Sequence, residues 1–215
     1  FLPNLFTARA VQTLGIENAG LAAGVDEQVN LGVQRLVTRQ NQDGGWGYWP
    51  TERSSVFITA YVLWGLSTAK EMGYTVPERT INLAADYLER SFLAPKDVLY
   101  NWQLNEMAFM HFVLAEMGRG DPGRASTLSD VRERLGHYGK AYLAMALAEM
   151  SEAGADDERV VTLLNDLAGA AKLSATGAWW QETEIDFRTL NTDIRTTSIV
   201  LKAFVRLDPQ NTLLP

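Results

Sequence analysis

The 215 residues contain no cysteine, so disulfides, thiolate metal sites and a cysteine nucleophile are all excluded within this chain. Histidine is nearly absent too. The two that occur, His111 and His137, stand far apart, and without cysteine they make no zinc motif. No run of Lys or Arg breaks a formal charge of -7 and a pI near 4.9, so there is no electrostatic footprint for a phosphate backbone or an anionic lipid surface. Nucleic acid is therefore not an expected partner, and neither cofactor nor metal is expected. No apolar run approaches the ~18 residues of a membrane span, and no basic-then-apolar signal opens the chain; direct membrane insertion is not expected. The chain begins at Phe1 and not at methionine, which reads as a piece of a longer polypeptide.

What is present is a large apolar fraction, 47%, enough for one core, and the whole span 1–215 is expected to be one domain. Helical periodicity runs nearly everywhere, with no alternating strand pattern of useful length. Two kinds of helix are legible. Val25, Val29, Val33, Leu36 and Val37 make one apolar stripe; Ile81, Ala84, Ala85 and Leu88 make a second, and Val160, Leu164, Leu167, Ala168 and Ala171 a third. Between them lie segments apolar on nearly every face, "VFITAYVLWGL" from 56, "MAFMHFVLAEM" from 107 and "AYLAMALAEM" from 141. A helix apolar all round must be covered all round.

The second kind shares an ending. "AVQTLG" closes at Gly15, "STAKEMG" at Gly73, "VLAEMG" at Gly118 and "LAEMSEAG" at Gly154, while "TTSIVLKAFVRLDP" closes on Pro209. The spacing predicts a degenerate repeat with left-handed glycine caps. Alternating covered and half-exposed helices point to an all-α fold, an incomplete ring of helical hairpins with about five inner helices: an α/α toroid like that of terpenoid cyclases and protein prenyltransferases. A stacked solenoid would show steadier periods.

Two loops fall at equivalent places in that repeat. "QNQDGGWGYWP" at 40–50 and "SATGAWWQ" at 174–181 each precede a covered helix. Their glycines suit a positive-φ turn, and repetition favours a structural role over ligand contact for Trp46, Tyr48 and Trp49, which nonetheless remain candidates for binding. The first loop is no phosphate cradle, because neither Lys-Ser nor Lys-Thr follows it and no strand precedes it.

The run 43–73, with Asp-Gly-Gly-Trp followed by Thr59, Ala60, Tyr61 and Val62, resembles the thioester-containing domain of the α2-macroglobulin and complement family, especially its bacterial members. "FLPNLFTARAVQTLG" at 1–15 is similar to the helix that follows the family's Cys-x-Glu-Gln motif. The resemblance implies an α/α toroid, and a thioester that would lie upstream of Phe1, leaving this fragment truncated at its amino terminus and without catalytic residues. It also implies a broad-spectrum protease inhibitor whose partners are target proteases and neighbouring domains of the parent, in the periplasm, cell envelope or extracellular space. Some relatives carry a histidine that takes over the acyl group. The corresponding stretch here holds Tyr100, Asn101 and Trp102, so direct reaction with amines is implied, and these residues join Trp46, Tyr48 and Trp49 as candidate site-lining groups.

The remaining chemistry has plainer readings. His111 sits in an apolar segment as a core residue, with only Glu106 near it in sequence to orient it as a base. His137 stands at a helix start and is expected to be exposed. Glu182, Glu184, Asp186 and Asp193 form an acidic loop, read as solvated ahead of glycan or cation binding. "DDER" from 156 suits a helix start and is no cyclase acid motif. The competing functional class is a toroid enzyme, a terpene cyclase or polysaccharide lyase, with Trp64 and Trp102 lining a cavity for an apolar or sugar substrate.

Overall fold

In the computed structural model, residues 1–15, 19–175, 177–184, 188–189 and 191–214 are described. They divide into two compact units, Phe1–Ser91 and Phe92–Pro215. The first unit is two helical hairpins. Helix α1 (Leu2–Thr13) packs on α2 (Ala19–Thr38), and α3 (Val56–Glu71) packs on α4 (Glu78–Ser91), with further contact of α3 on α1 and α2. Ser55 starts α3 by accepting the N–H of Ile58 at 3.4 Å, which satisfies one orphan donor of the first turn. Gly73 ends it at φ 91°. Its N–H reaches the Lys70 carbonyl at 3.0 Å and the N–H of Tyr74 reaches Ala69 at 3.0 Å, the paired bonds of a Schellman cap.

In the second unit α5 (Asn101–Glu116) packs on α7 (His137–Met150), which also packs on α8 (Glu158–Gly169) and α9 (Asp193–Leu207). The short α6 (Pro122–Ser129) covers α5 and α7 and is capped by Asp121, whose carboxylate accepts the N–H of Arg124 at 3.0 Å. The apolar-all-round segments are indeed the buried ones. Every residue of α5 from Met107 to Ala115 is buried, as is Ala141 to Leu147 of α7. The half-apolar α4 and α8 bury one stripe each, Thr80, Ile81, Ala84, Ala85 and Leu88 in α4 and Val160, Leu163, Leu164 and Leu167 in α8. The repeated "LAEM" endings of α5 and α7 also carry charge. Arg206 of α9 pairs with Glu116 at 2.5 Å and with Glu149, so one guanidinium ties the carboxyl-terminal ends of three helices.

Three expectations change. Helices α1 and α9 are covered on one face only: α1 buries Leu5, Ala8 and Val11, and Ile194 and Val205 of α9 stand 82% and 62% exposed. Glycine caps hold at Gly15, Gly73 and Gly118, but α7 stops at Met150 with an extended Ser151, and Gly154 takes its positive φ only later, in the single 3-10 turn Gly154–Asp156. A strand pair is also present: β1 (Lys172–Ser174) runs antiparallel to β2 (Gly177–Trp179). Three-residue strands are too short for alternation to show in a sequence.

Candidate functional site

The Asp43–Trp49 loop is built inward. Gly44 sits at φ 94°, and a Cβ there would lie 2.2 Å from the Leu83 carbonyl oxygen of α4, so both its backbone angle and its neighbour exclude a side chain. Asp43 accepts the N–H of Gly45 at 3.0 Å and the hydroxyl of Ser54 at 2.7 Å. Gln40 donates to the Gly44 and Thr80 carbonyls, each at 2.9 Å, and Tyr87 donates to the Ser54 carbonyl at 3.1 Å. Trp46 is buried at 3% exposure. Its indole N–H donates to the Leu36 carbonyl in the last turn of α2 at 2.8 Å, and its backbone N–H donates to Thr59 Oγ1 at 3.0 Å. Tyr48 and Trp49, by contrast, are 52% and 72% exposed. One loop thus splits its aromatics: one ring pins two helices, and two face outward.

The second loop repeats the circuit. Trp180, fully buried, donates its indole N–H to the Leu167 carbonyl at 2.7 Å and its backbone N–H to Thr197 Oγ1 at 3.0 Å. Leu36 and Leu167 each lie two residues before the end of a half-apolar helix, and Thr59 and Thr197 each lie in the opening turns of the helix that follows. An indole donor satisfies a helix-end carbonyl, and a threonine hydroxyl satisfies the tryptophan backbone. The preceding Trp179 lies in β2, 39% exposed.

Tyr100, 61% exposed, precedes α5, and its ring stacks on Trp102 with centroids 6.4 Å apart. The Arg188 guanidinium lies 5.0 Å from the Trp102 centroid. Asn101 accepts from Arg134 Nε at 3.2 Å, while Arg134 also donates to the Val98 carbonyl at 2.8 Å. Asn101 and Trp102 line a cavity of about 100 Å³ with Asn105, Tyr138, Glu182 and Asn191.

Glu182 corrects the acidic-loop reading. It is half-buried rather than free in solvent. Its carboxylate accepts the N–H of His137 at 3.0 Å and of Tyr138 at 3.1 Å, closing the amino-terminal end of α7, where negative charge is favoured. Asp193 accepts the N–H of Glu182 at 3.2 Å; Glu184 is exposed, and Asp186 lies outside the described residues. Nothing in the sequence ties Glu182 to a helix start many residues earlier, so this pairing was not legible there. His111 is buried at 1% exposure against Phe92, ring centroids 4.4 Å apart. Burial holds its pKa down at about 4; Asp121 and Arg124, not Glu106, are the charges that act on it. A neutral ring without a carboxylate partner is a core residue and not a poised base. His137, the first residue of α7, is half-buried. Trp64 packs against Phe6 at 5.4 Å and Tyr61 at 6.2 Å. Among the described residues no cluster of three or more His, Asp or Glu could hold a metal ion, and no helix is long and apolar enough to cross a membrane.

These helical hairpins, with tryptophan-pinned loops joining α2 to α3 and α8 to α9, have the fold of the α/α-toroid class. Within it, residues 1–94 match the family model described as A-macroglobulin TED domain. Alpha-2-macroglobulin of Thermotoga maritima is 32% identical over 89 residues, 41% of this chain and 6% of that protein. Alpha-2-macroglobulin of Escherichia coli is 27% identical over 176 residues, 75% of this chain and 10% of that protein. A crystal structure of Salmonella alpha-2-macroglobulin reacted with methylamine covers 95% of this chain and 13% of its own at a TM-score of 0.75 and 21% identity, a likeness of fold. The resemblance read from the sequence stands as a resemblance: residues 1–94 match the TED domain, the chain is similar to bacterial α2-macroglobulins, and its fold is that of their solved structures. It spans about a tenth or less of the length of those two relatives.

Proposed function

We propose that this chain is part of a broad-spectrum protease inhibitor of the α2-macroglobulin kind, which entraps proteases, and that the thioester lies upstream of it in the parent polypeptide. The match of residues 1–94 to the TED domain carries the reading. That the Salmonella relative reacts with methylamine supports an acyl group open to amines. The chain itself supplies neither thiol nor acyl donor, because it has no cysteine and a thioester needs one; its part is binding and shielding, not catalysis. All of 1–215 belongs to one thioester-type domain in this reading. Target proteases and neighbouring parent domains are its partners, and the periplasm or cell envelope is its place.

Within the first unit the roles divide by exposure. Trp46 fixes the loop, and the outward rings of Tyr48 and Trp49 lie close to the thioester and keep water from it. Trypsin mixed with the parent polypeptide should give a covalent conjugate stable to denaturant and reducing agent, while the isolated 215-residue chain should give none and should incorporate no methylamine. Methylamine incorporation by the isolated chain would overturn the assignment of the acyl donor to the parent.

A further inference from the structure

Within the second unit, the Phe92–Lys96 segment ahead of α5, Met107 of α5, and the stretch from Arg124 of α6 to Val131 just beyond it enclose a cavity of about 600 Å³. Its wall is largely apolar. Met107 and Pro95 are buried, Phe92 and Val131 half-buried, and Leu93 stands 51% exposed at the rim. The Phe92 ring is held by the His111 ring, centroids 4.4 Å apart, and by the Arg124 guanidinium, 5.4 Å from its centroid, so the wall is formed before any ligand arrives. A cavity of this size and lining is of the kind that takes small organic molecules. Covering its wetted apolar surface is favourable.

Charge narrows the ligand. Arg124 is engaged by Asp121 at 3.4 Å as well as by the Phe92 ring. Lys96 and Asp130 are exposed and line the same cavity, and among the described residues neither has an ion pair or a side-chain hydrogen bond, with the other or with any third group. Thr127 donates its hydroxyl proton to the Arg124 carbonyl at 2.8 Å, so its oxygen is left to accept. Thr127 and Asp130 are three residues apart at the end of α6 and share a face. One side of the cavity thus offers acceptors and a negative charge, and the Lys96 segment offers a positive one. A lone carboxylate or a lone amine would use one side only. A sphere of this volume is roughly 10 Å across, and each extended residue adds about 3.3–3.6 Å, so two or three residues bridge it. We propose that this cavity binds a short apolar peptide with free ends, its ammonium on Asp130 and Thr127, its carboxylate on Lys96 and its side chains on the apolar wall. This is independent of where the thioester lies.

The test titrates leucyl-leucine and trileucine into the 15N-labelled 215-residue chain and follows the backbone amides of Leu93, Lys96 and Thr127. These should shift together and saturate in the millimolar range, and saturation by either peptide supports the site and sets the length. The N-acetylated peptide lacks the ammonium and the C-amidated peptide lacks the carboxylate, so each should bind about two- to fivefold more weakly, the contribution of one exposed ion pair. The two losses should separate: Asp130→Asn abolishes the effect of acetylation and leaves that of amidation, and Lys96→Gln does the reverse. Ala94→Trp fills the cavity from its exposed rim and should weaken binding by about tenfold or more, as losing the burial of one leucine side chain would, with the circular dichroism unchanged. Should that variant fail to fold, the comparison of free and blocked peptides on the unaltered chain still decides. No saturable shift, equal binding by free leucine or by both blocked peptides, or full binding by a folded Ala94→Trp chain would overturn it.

Discussion

Thr59 Oγ1 accepts the backbone N–H of Trp46 at 3.0 Å, and both residues are buried. The loop thereby hands an orphan donor to the opening turns of α3 while its indole takes the Leu36 carbonyl of α2. Replacing Thr59 by valine keeps the volume and removes the acceptor, leaving a buried N–H unpaired. The expected loss is about 1–3 kcal/mol, measured by urea unfolding followed by tryptophan fluorescence. Thr59→Ser should recover most of it.

The same substitution in the second circuit should cost less. Thr197 is half-buried, so water offers Trp180 N–H a partial substitute, and Thr197→Val is expected to lose about 1 kcal/mol or below. Equal losses at Thr59 and Thr197 would mean that exposure does not set the difference.

Glu182 should hold α7 as a carboxylate holds any helix start. Glu182→Gln turns one acceptor oxygen into a donor beside the N–H groups of His137 and Tyr138, and should lower stability by about 1–2 kcal/mol. Amide hydrogen exchange at His137 and Tyr138 should accelerate, while exchange in the middle of α5 reports only the global change. Unchanged protection at both positions would contradict the latch.

His111 predicts a pH dependence. Its folded pKa of about 4 lies below the ordinary 6.5, so between those values the unfolded chain binds a proton that the folded chain does not. Above about pH 6.5 both states are neutral and nothing is lost; as the pH falls to about 4 the folded state loses up to about 3 kcal/mol relative to the unfolded, then levels off. Comparing unfolding free energies at pH 7 and pH 4.5 for the unaltered chain and His111→Leu should show the slope in that window reduced in the variant.

How far the sequence carried this account depended on periodicity. All-round apolarity in 107–115 and 141–147 announced burial, and the glycines at 73 and 118 announced helix ends, because both signals are local. The buried role of Trp46 against the exposure of Tyr48 and Trp49 was not legible: three aromatics within four positions look alike until α2 and α3 bond to one of them. Glu182 and Asn105 were missed for a related reason, since each finds its partner across a gap of more than thirty residues, and nothing in residue type marks such a pairing. Helix α9 read as fully covered because Ile199, Val200, Ala203 and Phe204 dominate it, while Ile194 and Val205, equally apolar, face outward.

The most direct test of the central proposal is thiol titration of the parent polypeptide under native conditions, before and after methylamine. A thioester upstream of Phe1 masks its sulfur, and aminolysis releases that sulfur as the acyl group passes to the amine. The account predicts one cysteine that is silent in the untreated protein and titrates stoichiometrically afterwards. A cysteine in the upstream segment that titrates freely from the start, or no cysteine there at all, would contradict it.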